Sequence, residues 1–187
     1  MELDQGIHLP QMPLIAPLRP EKAPKDVFAL YEDFRRRMSF PSAPNFITTQ
    51  GHSLTAVRGT LGLVSNVLSG GEIPRWTKEM IFVAISKDRQ CSYCDAAHLA
   101  CCRMLGVDLV TLNQLVKDVN TIADFKVRTM ILFALKCSRD PQALGTADYE
   151  DLRDVGLRES EIVELIAMAG LAVYANIMAD ATRVEAD

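Results

Sequence analysis

The chain has 187 residues, 49% hydrophobic and 24% charged, with a formal net charge of −4. One good hydrophobic core is expected from that length, and the acidic balance gives no basic footprint for nucleic acid. No uninterrupted run of about eighteen apolar residues suggests a membrane span, and an odd set of five cysteines behind an acidic Met1-Glu2-Leu3-Asp4 start fits a reducing cytoplasmic setting better than a secreted disulfide framework.

Residues 1–24 hold Pro10, Pro13, Pro17, Pro20 and Pro24. That density leaves an extended N-terminal arm, of a kind able to wrap a neighbour. His8 lies in it without partners that suggest chemistry. From 25 to 38, Val27, Leu30, Tyr31 and Phe34 recur at helical spacing. The run Arg35-Arg36-Arg37 is bracketed by Glu32 and Asp33 and reads as a solvated face. Pro41 and Pro44 end this helix. A second helical region covers 44–68, broken near Gly51, and stops at Gly70-Gly71. His52 lies near a helix start and also lacks a reactive partner.

Pro74 is acceptable in the first turn of the next helix, expected over 74–86. Trp76, Met80, Ile81, Phe82, Val83, Ala84 and Ile85 leave it almost no polar face, so it is expected to be buried. Glu79 sits within that surface. A carboxylate there is costly to ionise unless paired, so its pKa is expected to rise. His98 is the obvious partner.

The following helix starts from the polar turn Lys87-Asp88-Arg89-Gln90 and stops at Gly106. At about 100° per residue, Cys91, Cys94, His98, Cys101, Cys102 and Leu105 share a stripe roughly 100° wide. Cys91 is expected in the first turn, where the helix dipole favours a thiolate, and the two-residue spacer lets it reach Cys94. Two thiols, an imidazole and a carboxylate in one neighbourhood point to redox chemistry.

Beyond Gly106, helices are expected over 109–119 and 123–137. Thr146 caps a short one that Gly156 stops, and a last helix runs over 159–183. On that last helix Ile162, Ile166, Ala169, Val173, Ile177 and Ala181 line one side. Strict alternation is scarce, so the chain is expected to be an all-α single domain. The apolar breadth of 74–86 and of the last helix suggests subunit interfaces.

The pattern Glu79, Cys91-x-x-Cys94, x-x-x, His98 resembles the signature of the AhpD-like alkylhydroperoxidases in the carboxymuconolactone decarboxylase superfamily, especially their peroxidase-related branch. The resemblance runs from about Leu54 through the final helix, where 176–180 is similar to the terminal helix of that branch. One position departs: many members carry histidine before the second cysteine, where this chain has Tyr93. The resemblance implies an AhpD-like helical domain over 25–187, of about seven to nine helices, behind the arm at 1–24. It implies a thiol-dependent hydroperoxide reductase acting on small organic hydroperoxides or hydrogen peroxide. Cys94 would be the peroxidatic thiol, Cys91 the resolving thiol, and Glu79 with His98 the proton relay. Tyr93 would donate a hydrogen bond or simply pack. No cofactor is implied, whether metal, haem or flavin. The reductant would be an external dithiol, such as a lipoylated protein, and relatives are homo-oligomers: dimers, trimers or hexamers.

Other readings compete. Cys91, Cys94, His98 and Cys102 include the right donor types for zinc, but one continuous helix cannot readily surround a tetrahedral ion. Cys101, Cys102 and Cys137 read as buried small hydrophobes. Glu79 could pair structurally with Arg75 or Arg89. At the level of the whole chain, the alternatives are a decarboxylase-type lactone enzyme, which needs no dithiol, and a non-enzymatic redox sensor.

Overall fold

The computed structural model describes residues 12–187. Residues 1–11 of the expected arm, with His8 and Pro10, lie outside it. Among the described residues there are nine α-helices and no strand. In order they are α1 Lys25–Met38, α2 Asn45–Gln50, α3 Leu54–Leu63, α4 Arg75–Asp88, α5 Ser92–Met104, α6 Leu109–Lys117, α7 Phe125–Arg139, α8 Thr146–Asp154 and α9 Glu159–Thr182. The all-α expectation holds.

Local chemistry sets the helix starts. Prolines stand at the N-caps of α1, α2 and α4, where an absent N–H costs nothing. Ser53, Asp108 and Asp124 cap α3, α6 and α7 by accepting from backbone N–H groups one turn on. Gly106 and Gly156 end α5 and α8 with φ of 82° and 80°, the left-handed turn that glycine adopts without strain. Thr146, expected as a cap, is instead the first residue of α8. The cap is Gly145, whose N–H donates to Asp148 Oδ2 at 2.7 Å.

Residues 14–18 of the arm are engaged with their own chain. The N–H groups of Leu14 and Ile15 donate to Thr182 O at 3.0 and 3.2 Å, and that of Leu18 donates to Thr48 O at 3.0 Å. The buried Tyr31 hydroxyl donates to Leu18 O at 3.1 Å. Pro20–Lys22 forms a short 3₁₀ turn.

Helix α4 is the centre of the fold, with α5, α6, α7 and α9 packed against it. Ten consecutive residues, Thr77 to Ser86, are buried, so that stretch of the helix is enclosed on every side. This chain's own helices cover residues 77–86, while Pro74, Arg75 and Trp76 keep solvent contact. Helix α9 has the length and hydropathy to cross a membrane, but half of that stretch is buried inside the fold. Its Glu164 and Asn176 bond to α4 side chains. It is a core helix here.

The periodicity of α4 hid one charge. Lys78 is fully buried; it donates to Val67 O at 2.7 Å and Gly70 O at 2.5 Å, and it pairs with Glu164. Glu164 also accepts from the N–H groups of Glu72 and Ile73 at 2.7 and 3.1 Å. This clamp fixes the turn that launches α4. Gly71 must be glycine within it: φ is +85°, and a Cβ would run into the Glu164 carboxylate.

A smaller core of Val27, Tyr31, Phe34, Ile47, Val57 and Leu61 joins α1, α2 and α3. Between α3 and α4 the chain widens into a π-helix, Val64–Leu68, a form often found at functional sites. Val64 and Leu68 line a cavity that opens where the two cores meet.

Candidate functional site

Helix α4 presents Glu79 and α5 presents Cys94 and His98 to this one cavity, about 360 Å³ in volume and within the range of small-molecule sites. Its walls are mostly apolar, with Phe34, Phe40, Phe46, Phe82 and Met38 among them. Arg75, Glu79, His98, Cys94 and Cys101 supply polar groups along the α4 and α5 side.

Glu79 is fully buried and spends both oxygens. Oε2 lies 2.5 Å from His98 Nδ1, and Oε1 accepts from Arg75 Nε at 2.7 Å. Burial pushes its pKa up, but His98 and then Arg75 outweigh burial and hold the carboxyl below its ordinary value. The rise expected from sequence is therefore corrected: a paired carboxylate stays ionised where a lone one would not. Both structural partners weighed in the sequence resolve to one, Arg75. Arg89 instead stands at the far end of α4 as its C-cap.

His98 is clamped on its flat side as well, with Phe82 stacked on the ring at 3.5 Å between centroids and 12° between planes. Because a carboxylate only accepts, Nδ1 carries the hydrogen, and a neutral ring keeps Nε2 free as a base.

The two thiols differ. Cys91 stands at the N-cap of α5, fully buried and off the cavity wall, while Cys94 is in the first turn and on that wall. The neighbouring Cys91 thiol, assisted by Asn176 and opposed by burial and the Asp180 charge, lowers the Cys94 pKa. Cys91 is pushed well up by its Cys94 neighbour and by burial, with Asp180 adding to the rise. Helix α5 begins at Ser92, so Cys91 is its N-cap rather than a first-turn residue, and both Cys91 and Cys94 stand at the positive end of the helix dipole.

The stripe of thiols also divides. Cys102 points into the core, fully buried, with its pKa pushed up to about 12, chiefly by burial. Cys101 reaches the cavity wall, half-buried, and burial with the Glu79 charge raises it to about 11. Among the described residues no three His, Cys, Asp or Glu side chains converge on a metal position.

Tyr93 does not face the relay with a free hydroxyl. Its Oη donates to Asp187 Oδ2 at 2.7 Å and accepts from Phe46 N–H at 3.2 Å. Asn176 is the residue whose role sequence reasoning missed, although it lies in the 176–180 stretch noted above. Fully buried, it donates to Ser86 Oγ at 2.9 Å and keeps Oδ1 without a partner.

No protein-family model matches this chain, and no curated protein matches it. Solved structures do. A peroxidase-related protein from Silicibacter sp. TM1040 superposes with a TM-score of 0.84 at 24% identity, covering 97% of this chain and 96% of that one. A protein from Ralstonia eutropha JMP134, described as an alkylhydroperoxidase AhpD core and peroxidase-related, gives 0.83 at 23% identity over 95% and 94%. The debrominase Bmp8, in complex with 2,3,4-tribromopyrrole, gives 0.80 at 19% over 95% and 93%. By architecture and by these relatives, the chain has the AhpD-like fold.

Proposed function

We propose that the chain is a thiol-dependent hydroperoxide reductase with Cys94 as the attacking sulfur. The observation that carries this reading is the division of the two thiols: Cys94 lies on the cavity wall in the first turn of α5 with its pKa lowered, and Cys91 is fully buried off that wall at the helix N-cap. The Cys94 thiolate attacks the terminal oxygen of the hydroperoxide, and the O–O bond breaks. One oxygen stays on sulfur as a sulfenic acid, and the other leaves as an alcohol once protonated. His98, oriented by Glu79, takes the thiol proton and returns it to the leaving oxygen. Cys91 then condenses with the sulfenic acid, releasing water and closing a disulfide. An external dithiol, of which a lipoylated protein is one form, supplies the two electrons that reopen it. Exposed Leu109, Val110, Val163 and Ile177 support a homo-oligomer.

The test is hydroperoxide consumption with dithiothreitol as reductant, together with mass mapping of the oxidised sulfur after one equivalent of cumene hydroperoxide. Cys94→Ser should remove turnover. Cys91→Ser should leave one oxidation and a trapped sulfenic acid on Cys94. Consumption that persists when both cysteines are serine would overturn the assignment.

A second reading draws on the aromatic-lined cavity and on the debrominase relative. The same dithiol could supply two electrons to a brominated aromatic ring, exchanging carbon–bromine for carbon–hydrogen and closing the disulfide with release of bromide and a proton. Bromide release from tribromopyrrole under reducing conditions, with no hydroperoxide consumption, would favour it.

A further inference from the structure

On the wall built by α3 and α9, Thr60 and Tyr174 bring hydroxyl groups to the cavity, with Gln50 behind them. Their hydrogen positions follow from valence. Gln50 Nε2 donates to Phe46 O at 2.9 Å, and a carbonyl oxygen only accepts, so the amide is oriented with Oε1 toward Thr60. Oε1 cannot donate either. The Thr60 hydroxyl therefore commits its one hydrogen to Gln50 Oε1. Tyr174 Oη lies 2.7 Å from Thr60 Oγ1, and with the Thr60 hydrogen already placed, the phenol must be the donor. Gln50 Oε1, at 3.5 Å, is a second and weaker acceptor for it.

Both hydroxyl hydrogens are thus spent within the cluster. Tyr174 Oη keeps a lone pair to which no described residue donates. Gln50 and Thr60 are buried, whereas Tyr174 is half-buried and lines the cavity, so Tyr174 is the member of the cluster most open to a ligand. The remaining wall around it, including Phe46, Val64 and Leu171, is apolar.

We infer that Tyr174 forms an acceptor subsite, selecting ligands that carry a hydroxyl or N–H donor on a mainly apolar skeleton. The inference rests on the cavity being the substrate chamber, and it adds a requirement that the thiol chemistry does not impose. An apolar molecule lacking a donor leaves the phenol lone pair dry and unpaired. One that bears a hydroxyl satisfies it, which is how a buried polar group discriminates between molecules of similar shape.

The experiment uses ligands without an O–O bond, so that its outcome is separable from hydroperoxide reduction. Reduced wild-type protein is titrated by calorimetry with 2-phenyl-2-propanol and with its methyl ether. The alcohol should bind about five- to tenfold more tightly, the equivalent of one net hydrogen bond. In Tyr174→Phe that preference should shrink to about twofold or less. No binding of the alcohol, a wild-type preference below about twofold, or an undiminished preference in Tyr174→Phe would each overturn the subsite. If Tyr174→Phe does not fold, the wild-type comparison decides alone. Selective alcohol binding without hydroperoxide turnover would sink the proposed reaction and leave the subsite standing.

Discussion

Glu79 Oε2 and His98 Nδ1 lie 2.5 Å apart, joining two helices that bury one partner fully and leave the other on a cavity wall. The bond fixes which ring nitrogen carries the hydrogen. Glu79→Gln keeps the size but removes the anion, and an amide can turn its N–H₂ toward the ring and reverse the tautomer. Because positioned acid–base groups contribute about 100-fold or more, kcat/KM for cumene hydroperoxide should fall by about that factor. Steady-state kinetics on the folded variant checks it, and an unchanged kcat/KM would remove Glu79 from the relay.

The same pairing has a pH signature in stability. The folded-state pKa of Glu79 lies below its ordinary 4.5 because His98 and Arg75 outweigh burial. A depressed carboxylate stabilises the fold above its unfolded pKa, and that contribution is lost as pH falls through the folded value. Urea unfolding of wild type and Glu79→Gln should therefore show a stability gap that is widest at neutral pH and closes below 4.5. A gap independent of pH would mean the carboxylate is not the stabilising form.

Thiol reactivity should separate the pair without any peroxide. With its pKa lowered by its Cys91 neighbour and by Asn176, and with its place on the cavity wall, Cys94 should be alkylated by iodoacetamide before Cys91, which is off that wall and shifted the other way. Asn176→Ala removes one supporting donor, so the pH midpoint for Cys94 alkylation should move upward. Peptide mapping over a pH series reads both effects. First alkylation at Cys91 would reverse the assignment of the two sulfurs.

Much of this was legible in the residues. The boundaries of α1 followed from apolar spacing between Pro24 and Ser39, and Glu79, Cys94 and His98 do line one cavity, as their spacing suggested. What failed depended on tertiary partners. Glu79 looked like a carboxylate with a raised pKa because no sequence rule places Arg75 on one oxygen and His98 on the other. Lys78 was hidden inside an apolar run, since its amine is satisfied by carbonyls of the preceding turn and by Glu164, 86 positions later in the chain. The cysteine stripe was drawn as one continuous helix, whereas the chain turns at Gln90, with φ of 61°, and Cys91 falls outside the first turn.

That hidden lysine carries a stability prediction. Lys78→Met leaves Glu164 with its two backbone donors but without its cation, and leaves Val67 O and Gly70 O without theirs. Breaking a buried pair from one side costs about 3–5 kcal/mol. Chemical denaturation should show a loss near the lower figure, because Glu164 retains some solvent contact. Adding Glu164→Gln should cost less than the sum of the two single changes. Full additivity would mean the pair does not interact.

Tyr93 supplies the last test, because its position is where the chain departs from the family pattern. A relay residue there would need a hydrogen to pass, but the phenol gives its hydrogen to Asp187 and takes one from Phe46 N–H. Burial and the Asp187 carboxylate push its pKa up, so it stays neutral at working pH. Asp187 Oδ1 in turn accepts from Asn45 N–H at 2.6 Å, which makes Tyr93 a tether between α5, the start of α2 and residues 183–187. Tyr93→Phe keeps the stack on Phe46, 6.3 Å between centroids, and loses only the tether. The expected result is a hydroperoxide kcat within about threefold of wild type, since no transition-state contact is removed. Amide exchange at 183–187 should quicken at the same time. A fall in kcat of about 100-fold with unchanged exchange would place the phenol in the proton path instead.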